Sequence, residues 1–156
     1  MANRELADIP PLIYVKAHVL KSLTLMRNCL QSLNETEFAK LSNLTQLNLA
    51  FNNLTCLPDT IGCLVHLKEL DVSHNKLKEI PMTICMLDKL VSFNITKNHV
   101  TELPSSLGLL KNLANFYAAK NRLKGISREI IEGLNSLFVY INLKILLLYL
   151  FKFEIN

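Results

Sequence analysis

The sequence predicts an α/β solenoid, a curved parallel β-sheet on the inner side with 3₁₀ or short helical turns on the outer side, in about five stacked units. Three observations predict it. Apolar residues recur in one pattern at a nearly constant interval, in units that start at Leu20, Leu44, Leu67, Leu90 and Leu113. An asparagine stands at the ninth place of every unit: Asn28, Asn52, Asn75, Asn98 and Asn121. In the three middle units the next apolar stretch ends in proline, at Pro58, Pro81 and Pro104. One such unit has too little chain to hide its own apolar face, so neighbours must stack.

Each unit opens with apolar residues at its first, fourth and sixth places, as in Leu67, Leu70 and Val72. Alternation with period two predicts a short strand with one face buried. The asparagine falls where the chain leaves the sheet. Its short amide can satisfy backbone groups that the turn leaves unpaired, and stacked copies make a ladder. Apolar residues follow two places later, at Leu30, Leu54, Leu77, Val100 and Leu123, and again at Leu33, Leu57, Ile80, Leu103 and Ile126. The proline fixes φ and has no N–H to place, so it suits the start of the return path. The segments "DTIGCL" and "MTICML" then predict a helical or 3₁₀ turn that packs Ile61 and Leu64, or Ile84 and Leu87, onto the sheet.

The ends depart from the pattern. Residues 1–19 read as a partial repeat or cap, because "ELADIPPLI" echoes "KLKEIPMTI" and aligns Leu6, Ile9, Pro10 and Ile13 with the second half of a unit. Residues 20–136 form the repeat domain, and residues 137–156 are an apolar, degenerate tail. A sixth unit is expected to start at Leu137, but Asn142 then takes an apolar place and Ile145 the asparagine place. Fifteen of the last twenty residues are apolar, yet the uninterrupted run is only Ile145–Phe151. A spanning helix needs about 20 such residues. The tail is expected to lie over the open core edge as an improvised strand and helix, with a membrane tether and a truncated repeat product as alternatives.

Composition narrows the function. Half the residues are hydrophobic and the net charge is +4, with the positive charges scattered along the chain. Nucleic-acid binding wants a dense basic stripe, so no nucleic-acid partner is expected. The N-terminus, with early acids and Pro10–Pro11, does not read as a secretory signal. Cys29, Cys56, Cys63 and Cys85 fall at different places in the repeat, which fits free thiols in a reducing compartment. The glycosylation-type triplets at Asn34, Asn43, Asn53 and Asn94 then read as chance matches.

Catalytic and metal signals are weak. Cys63 and His66 are three apart, but one pair is not a zinc site. Asp71, Ser73 and His74 have the residue types of a hydrolase triad without an oxyanion hole or an ordered base. The four glycines are isolated, so no phosphate loop exists. No enzyme, cofactor or metal is expected.

The pattern resembles the leucine-rich repeat, L-x-x-L-x-L-x-x-N-x-L, over residues 20 to about 136. The 23-residue length and the Leu-Pro step resemble the intracellular subclass of Ras-suppressor-type scaffolds, plant Ras-group repeat proteins and Scribble/erbin-type polarity proteins. The resemblance implies a non-catalytic, cytoplasmic scaffold or signalling adaptor, with small GTPase signalling components among its partners.

The variable places supply the expected binding surface. The third, fifth, seventh and eighth places of each strand region should point away from the core, onto the concave face. The third column holds Ser22, Gln46, Glu69, Ser92 and Asn115, and the fifth Thr24, Asn48, Asp71, Asn94 and Tyr117. The eighth holds Arg27, Phe51, His74, Lys97 and Lys120. Aromatics among a few charges suit a protein partner, with Arg27, Phe51 and Tyr117 as anchors. Five strands span only about 20 Å, which fits a peptide or one edge of a small domain.

Overall fold

The computed structural model describes Ala2, residues 4–133 and the backbone of residues 138–140. Six strands form a parallel sheet in chain order: β1 (Ser22–Thr24), β2 (Gln46–Asn48), β3 (Glu69–Asp71), β4 (Ser92–Asn94), β5 (Asn115–Tyr117) and β6 (Phe138–Tyr140). The register aligns Leu23 with Leu47, Leu47 with Leu70, Leu70 with Phe93, and Phe93 with Phe116. The fourth places therefore form one apolar row beneath the sheet. Sixth-place residues Leu25, Leu49, Val72 and Ile95 form the next row, all fully buried. Phenylalanine replaces leucine at the fourth place of two adjacent units, and the Phe93 and Phe116 rings pack with centroids 5.6 Å apart.

The outer side closes this core. In the middle units Pro58, Pro81 and Pro104 precede 3₁₀ turns at Asp59–Cys63, Met82–Met86 and Ser105–Leu109. Each proline carbonyl accepts the N–H of the residue that plugs the core: Ile61 at 3.0 Å, Ile84 at 3.1 Å and Leu107 at 2.9 Å. The first unit is one residue longer and has room for more. There α2 (Glu35–Phe38) forms before a 3₁₀ turn at Ala39–Leu41, with Asn34 Oδ1 accepting the Glu37 N–H as its N-cap. Glu35 and Glu37 in that first turn favour the positive end of the helix dipole. Phe38 takes the place of the smaller isoleucines and is fully buried.

The fifth unit lacks the proline and forms α3 (Arg128–Gly133) instead. This helix crosses close to Gly108, where a Cβ would run into the Glu129 carbonyl. The N-terminal segment docks as half a unit. Its helix α1 (Pro11–Val15) follows the buried Ile9, and the Cys29 N–H donates to the Leu6 carbonyl at 2.8 Å.

The asparagines join the units. Asn75 Nδ2 donates to the Val72 carbonyl in its own unit and to the Leu49 carbonyl in the preceding one, both at 3.0 Å. Its Oδ1 accepts the Leu54 N–H of the preceding unit at 2.9 Å. Asn52 repeats this with Leu49, Leu25 and Leu30, Asn98 with Ile95, Val72 and Leu77, and Asn121 with Ala118, Ile95 and Val100. Asn28 bonds the N-terminal segment through the Arg4 and Leu6 N–H groups, each at 3.1 Å. The ladder thus runs through backbone groups and not from amide to amide.

The residue before each asparagine turns the corner. Arg27, Phe51, His74, Lys97 and Lys120 all have φ between 54° and 56°. That left-handed conformation costs a bulky L-residue about 1–2 kcal/mol. It is held from both sides, because the eighth-place N–H still donates to the next unit, as from Phe51 to the Ser73 carbonyl at 3.0 Å.

The corner corrects one expectation. Not every seventh-place side chain is exposed: Ala50 and Ser73 are buried at the corner that follows the three-residue strands. A second correction concerns the C-terminal end. β6 pairs with β5 so that Asn115 faces Phe138 and Tyr117 faces Tyr140. Val139 therefore stands opposite Phe116 at the fourth place, where a start at Leu137 would put Tyr140. The expectations for Asn142 and Ile145 lie outside the described residues. The fate expected for the rest of the tail, as a covering helix or a tether, lies outside the described residues.

Point mutations test the ladder and the corner. Asn75→Ala leaves the Leu54 N–H buried without its acceptor, while the Leu49 carbonyl keeps the Asn52 amide, and should lower the urea-unfolding free energy by about 1–3 kcal/mol. His74→Gly next door removes a left-handed side chain and should leave it within about 1 kcal/mol of the parent. Equal losses for both would show that the ladder has no special weight. Gly108→Ala should cost about 1–3 kcal/mol by overpacking against α3.

Candidate functional site

The concave face is an open sheet surface whose side chains come from successive strands. Ser22, Thr24, Gln46, Asn48, Glu69, Asp71, Ser92, Asn94 and Tyr117 line a shallow depression of about 290 Å³ across it. Gln46 and Glu69 are exposed, whereas Asn48, Asp71, Asn94, Asn115 and Tyr117 are half-buried between their lateral neighbours.

Three fifth-place residues also have a local task. Asn48 Oδ1 accepts the Ala50 N–H at 3.0 Å, Asp71 Oδ1 the Ser73 N–H at 2.9 Å, and Asn94 Oδ1 the Thr96 N–H at 3.0 Å. Each side chain folds back on the backbone two residues on and fixes the approach to the left-handed corner. Their remaining polar atoms face the groove. The Asn/Asp preference at this place is visible in the sequence, where it reads as surface variation.

The eighth-place residues form the rim. The Phe51 and His74 rings stack with centroids 3.8 Å apart and planes 20° from parallel. Arg27 Cζ lies 5.2 Å from the Phe51 ring centroid on the other side. Three side chains from three successive units thus make one continuous cation–aromatic–imidazole row along the edge of the groove. Phe51 remains 40% exposed, so the row is held in place without being hidden. Each member stands out singly in the sequence. Their contact follows from the lateral stacking of equivalent places.

His74 sits in an unfavourable field for a proton. Partial burial and then the charge of Lys97 hold its pKa below the ordinary value of 6.5, with Asp71 opposing and Lys120 adding to the lowering. The imidazole is therefore neutral at neutral pH, which suits a ring set among the cations of the rim.

The weaker chemical signals do not converge. Ser73 is buried, Asp71 is bonded to the Ser73 backbone, and His74 is stacked on Phe51. His66 Nδ1 lies 3.0 Å from Lys89 Nζ, and Cys63 is exposed on the outer side. All four cysteines are free. Among the described residues no group of three metal-ligating side chains comes together, and no helix is long and apolar enough to cross a membrane.

Residues 3–77 match the leucine rich repeat family. A leucine-rich-repeat protein from Leptospira interrogans has a similar structure over 88% of this chain and 36% of its own, with a TM-score of 0.80 and 30% identity. A second likeness, at TM-score 0.75 and 27% identity, is to the leucine-rich-repeat ectodomain of the membrane receptor kinase GASSHO1/SCHENGEN3 from Arabidopsis thaliana, in complex with CASPARIAN STRIP INTEGRITY FACTOR 2. It covers 86% of this chain and 16% of that one, so this chain spans much less than half the length of either structure. No curated protein matches the chain. The fold is a solenoid of the leucine-rich-repeat type, like the structures it resembles; domains of that type generally mediate protein–protein interaction and are generally non-catalytic.

The lowered His74 pKa has a definite consequence. Because the unfolded chain binds the proton more readily, this contribution to stability is present above about pH 6.5 and is lost as pH falls below it. An NMR titration should place the His74 midpoint below the ordinary value of 6.5, and the low-pH loss of stability should shrink in His74→Gln. A midpoint at or above the ordinary value would contradict the geometry of the rim.

Proposed function

We propose that this chain is a non-catalytic interaction module that binds a protein partner on its concave face, as part of an intracellular scaffold or signalling adaptor. One observation carries the reading: the Arg27–Phe51–His74 row, a half-exposed aromatic clamped between a guanidinium and an imidazole at the edge of a polar groove. Interfaces draw most of their energy from such ordered aromatic and arginine side chains. Their lateral packing and fixed backbone mean that little side-chain entropy is lost when a partner arrives.

The groove opposite this row presents Gln46, Asn48, Glu69, Asp71, Asn94, Asn115 and Tyr117, which offer amides and carboxylates to an extended segment. Lys97 and Lys120 continue the rim as cations. The neighbouring structure solved in complex with CASPARIAN STRIP INTEGRITY FACTOR 2 supports partner binding by this fold. The free thiols and the repeated Leu-Pro unit support the cytoplasmic setting. A small GTPase component is the partner that the subclass resemblance suggests. The short sheet, about 20 Å from β1 to β5, suits one edge of such a domain or a peptide.

The test is affinity capture with the intact chain against the double variant Phe51→Ala plus Tyr117→Ala. Partners of the concave face should fall about tenfold or more with the variant, while its thermal unfolding stays close to the parent's. Recovery of the same proteins at the same level would overturn the assignment of the site.

A further inference from the structure

The fold gathers cations that the sequence scatters. In units three to five the eighth, tenth and twelfth places hold His74, Lys76 and Lys78, then Lys97, His99 and Thr101, then Lys120, Arg122 and Lys124. Between them the ninth and eleventh places turn inward, with Asn75, Asn98, Leu77, Val100 and Leu123 buried. The outward residues therefore form a grid that runs from the concave rim onto the flank. Its spacing is about 4.8 Å between units and roughly 6.7 Å along each chain segment. Six of its nine places are Lys or Arg, all exposed, and two more are histidine.

The grid is rigid. Lys76 N–H donates to the Leu54 carbonyl at 2.9 Å, His99 N–H to Leu77 at 2.8 Å and Arg122 N–H to Val100 at 2.9 Å, so each segment is tied to the unit before it. The salt bridges among the described residues, Lys40–Glu37 and Arg128–Glu132, lie elsewhere. Carboxylates border the grid at Glu79 and Glu102 in the thirteenth place and at Asp71 beside His74, and the fifth unit has Gly125 in the thirteenth place instead.

We propose that this flank docks on an anionic phospholipid surface. The charges are spread in two dimensions, as a headgroup layer is. The groove and the second depression, near Ser32 and Pro58, are lined by other residues, so the grid is an open face and not a cleft that would enclose a peptide. The grid has no Phe, Tyr or Trp ring on which a nucleic-acid base would stack, and its imidazole at His74 is already stacked on Phe51. Five of the six cations are lysines, compact charges without the fork that reads a particular carboxylate or phosphate. In sequence, Lys124 precedes by a dozen residues the apolar stretch 137–156, which carries Lys144 and Lys152. A basic patch together with apolar chain is the pairing that holds proteins at membranes. The grid shares its eighth places, His74, Lys97 and Lys120, with the concave rim, whereas Lys76, Lys78, Arg122 and Lys124 belong to the flank alone and separate the two surfaces in a test.

The test is vesicle co-sedimentation of the full chain with phosphatidylcholine alone and with a mixture of two parts phosphatidylcholine to one part phosphatidylserine. The comparison is the variant Lys76→Gln, Lys78→Gln, Arg122→Gln, Lys124→Gln, which leaves the concave rim untouched. Each cation near an anionic surface is worth about fivefold in partitioning, so the variant should lose roughly 10²- to 10³-fold of the phosphatidylserine-dependent binding at low salt. Binding to phosphatidylcholine alone, which reports the apolar tail, should be unchanged. A melting curve like the parent's shows that the variant is folded. If it is not, the single exchange Lys124→Gln should still lower the binding about fivefold. Equal binding to both vesicles would overturn the proposal. So would a parent that ignores both vesicles but binds polyglutamate or polyuridylate in a grid-dependent way, because the flank would then belong to an acidic protein or a nucleic acid.

Discussion

The structure depends on one buried amide group that faces two ways. Each ladder asparagine donates within its own unit and to the unit before, and accepts a backbone N–H from that earlier unit. Without it, the corner of every unit would carry orphaned backbone groups away from water. Each orphan costs about 1–3 kcal/mol, a large fraction of the stability of a small protein. The amide also holds the preceding residue at positive φ, where a non-glycine side chain does not rest by itself. The strain at Phe51 and His74 is thus tied to the same groups that join the units. The rim that results, with its stacked rings, is a by-product of how the units are fastened.

Much of this is legible in the chain itself. The period, the buried first, fourth and sixth places, the inward asparagine and the turn after proline are local patterns, and each has one physical solution. What the sequence hides is lateral. Phe51 and His74 belong to different units and touch only because the units stack in register. The lysines from Lys76 to Lys124 look scattered for the same reason: columns of a solenoid run down the stack, and a linear count misses them. The seventh place differs for another reason. Past the end of a short strand, the corner leaves Ser73 and Ala50 buried, which strict alternation does not foresee. The sixth strand pairs one place earlier than Leu137 suggests, and its register comes from the pairing with β5.

The candidate surfaces follow from this division. Places three and five make a groove of amides and carboxylates, partly committed to bracing the backbone through Asn48, Asp71 and Asn94. Place eight makes a rim that is aromatic at one end and cationic at the other. Places ten and twelve extend the cations down the flank. All sit on backbone tied across units, so the protein meets a partner with its side chains already arranged. That is the physical basis for reading it as a platform: recognition rests on order that folding has already supplied.

If the ladder makes neighbouring units one cooperative body, amide hydrogen exchange of the native chain, resolved by residue, shows it most directly. The N–H groups of Leu30, Leu54, Leu77 and Val100, whose acceptors are asparagine side chains, should exchange as slowly as the strand-side N–H groups of Leu49 and Val72. If they exchange as fast as exposed loop amides such as those of Glu79 and Glu102, the asparagines do not fasten the stack, and the units are held together by something else.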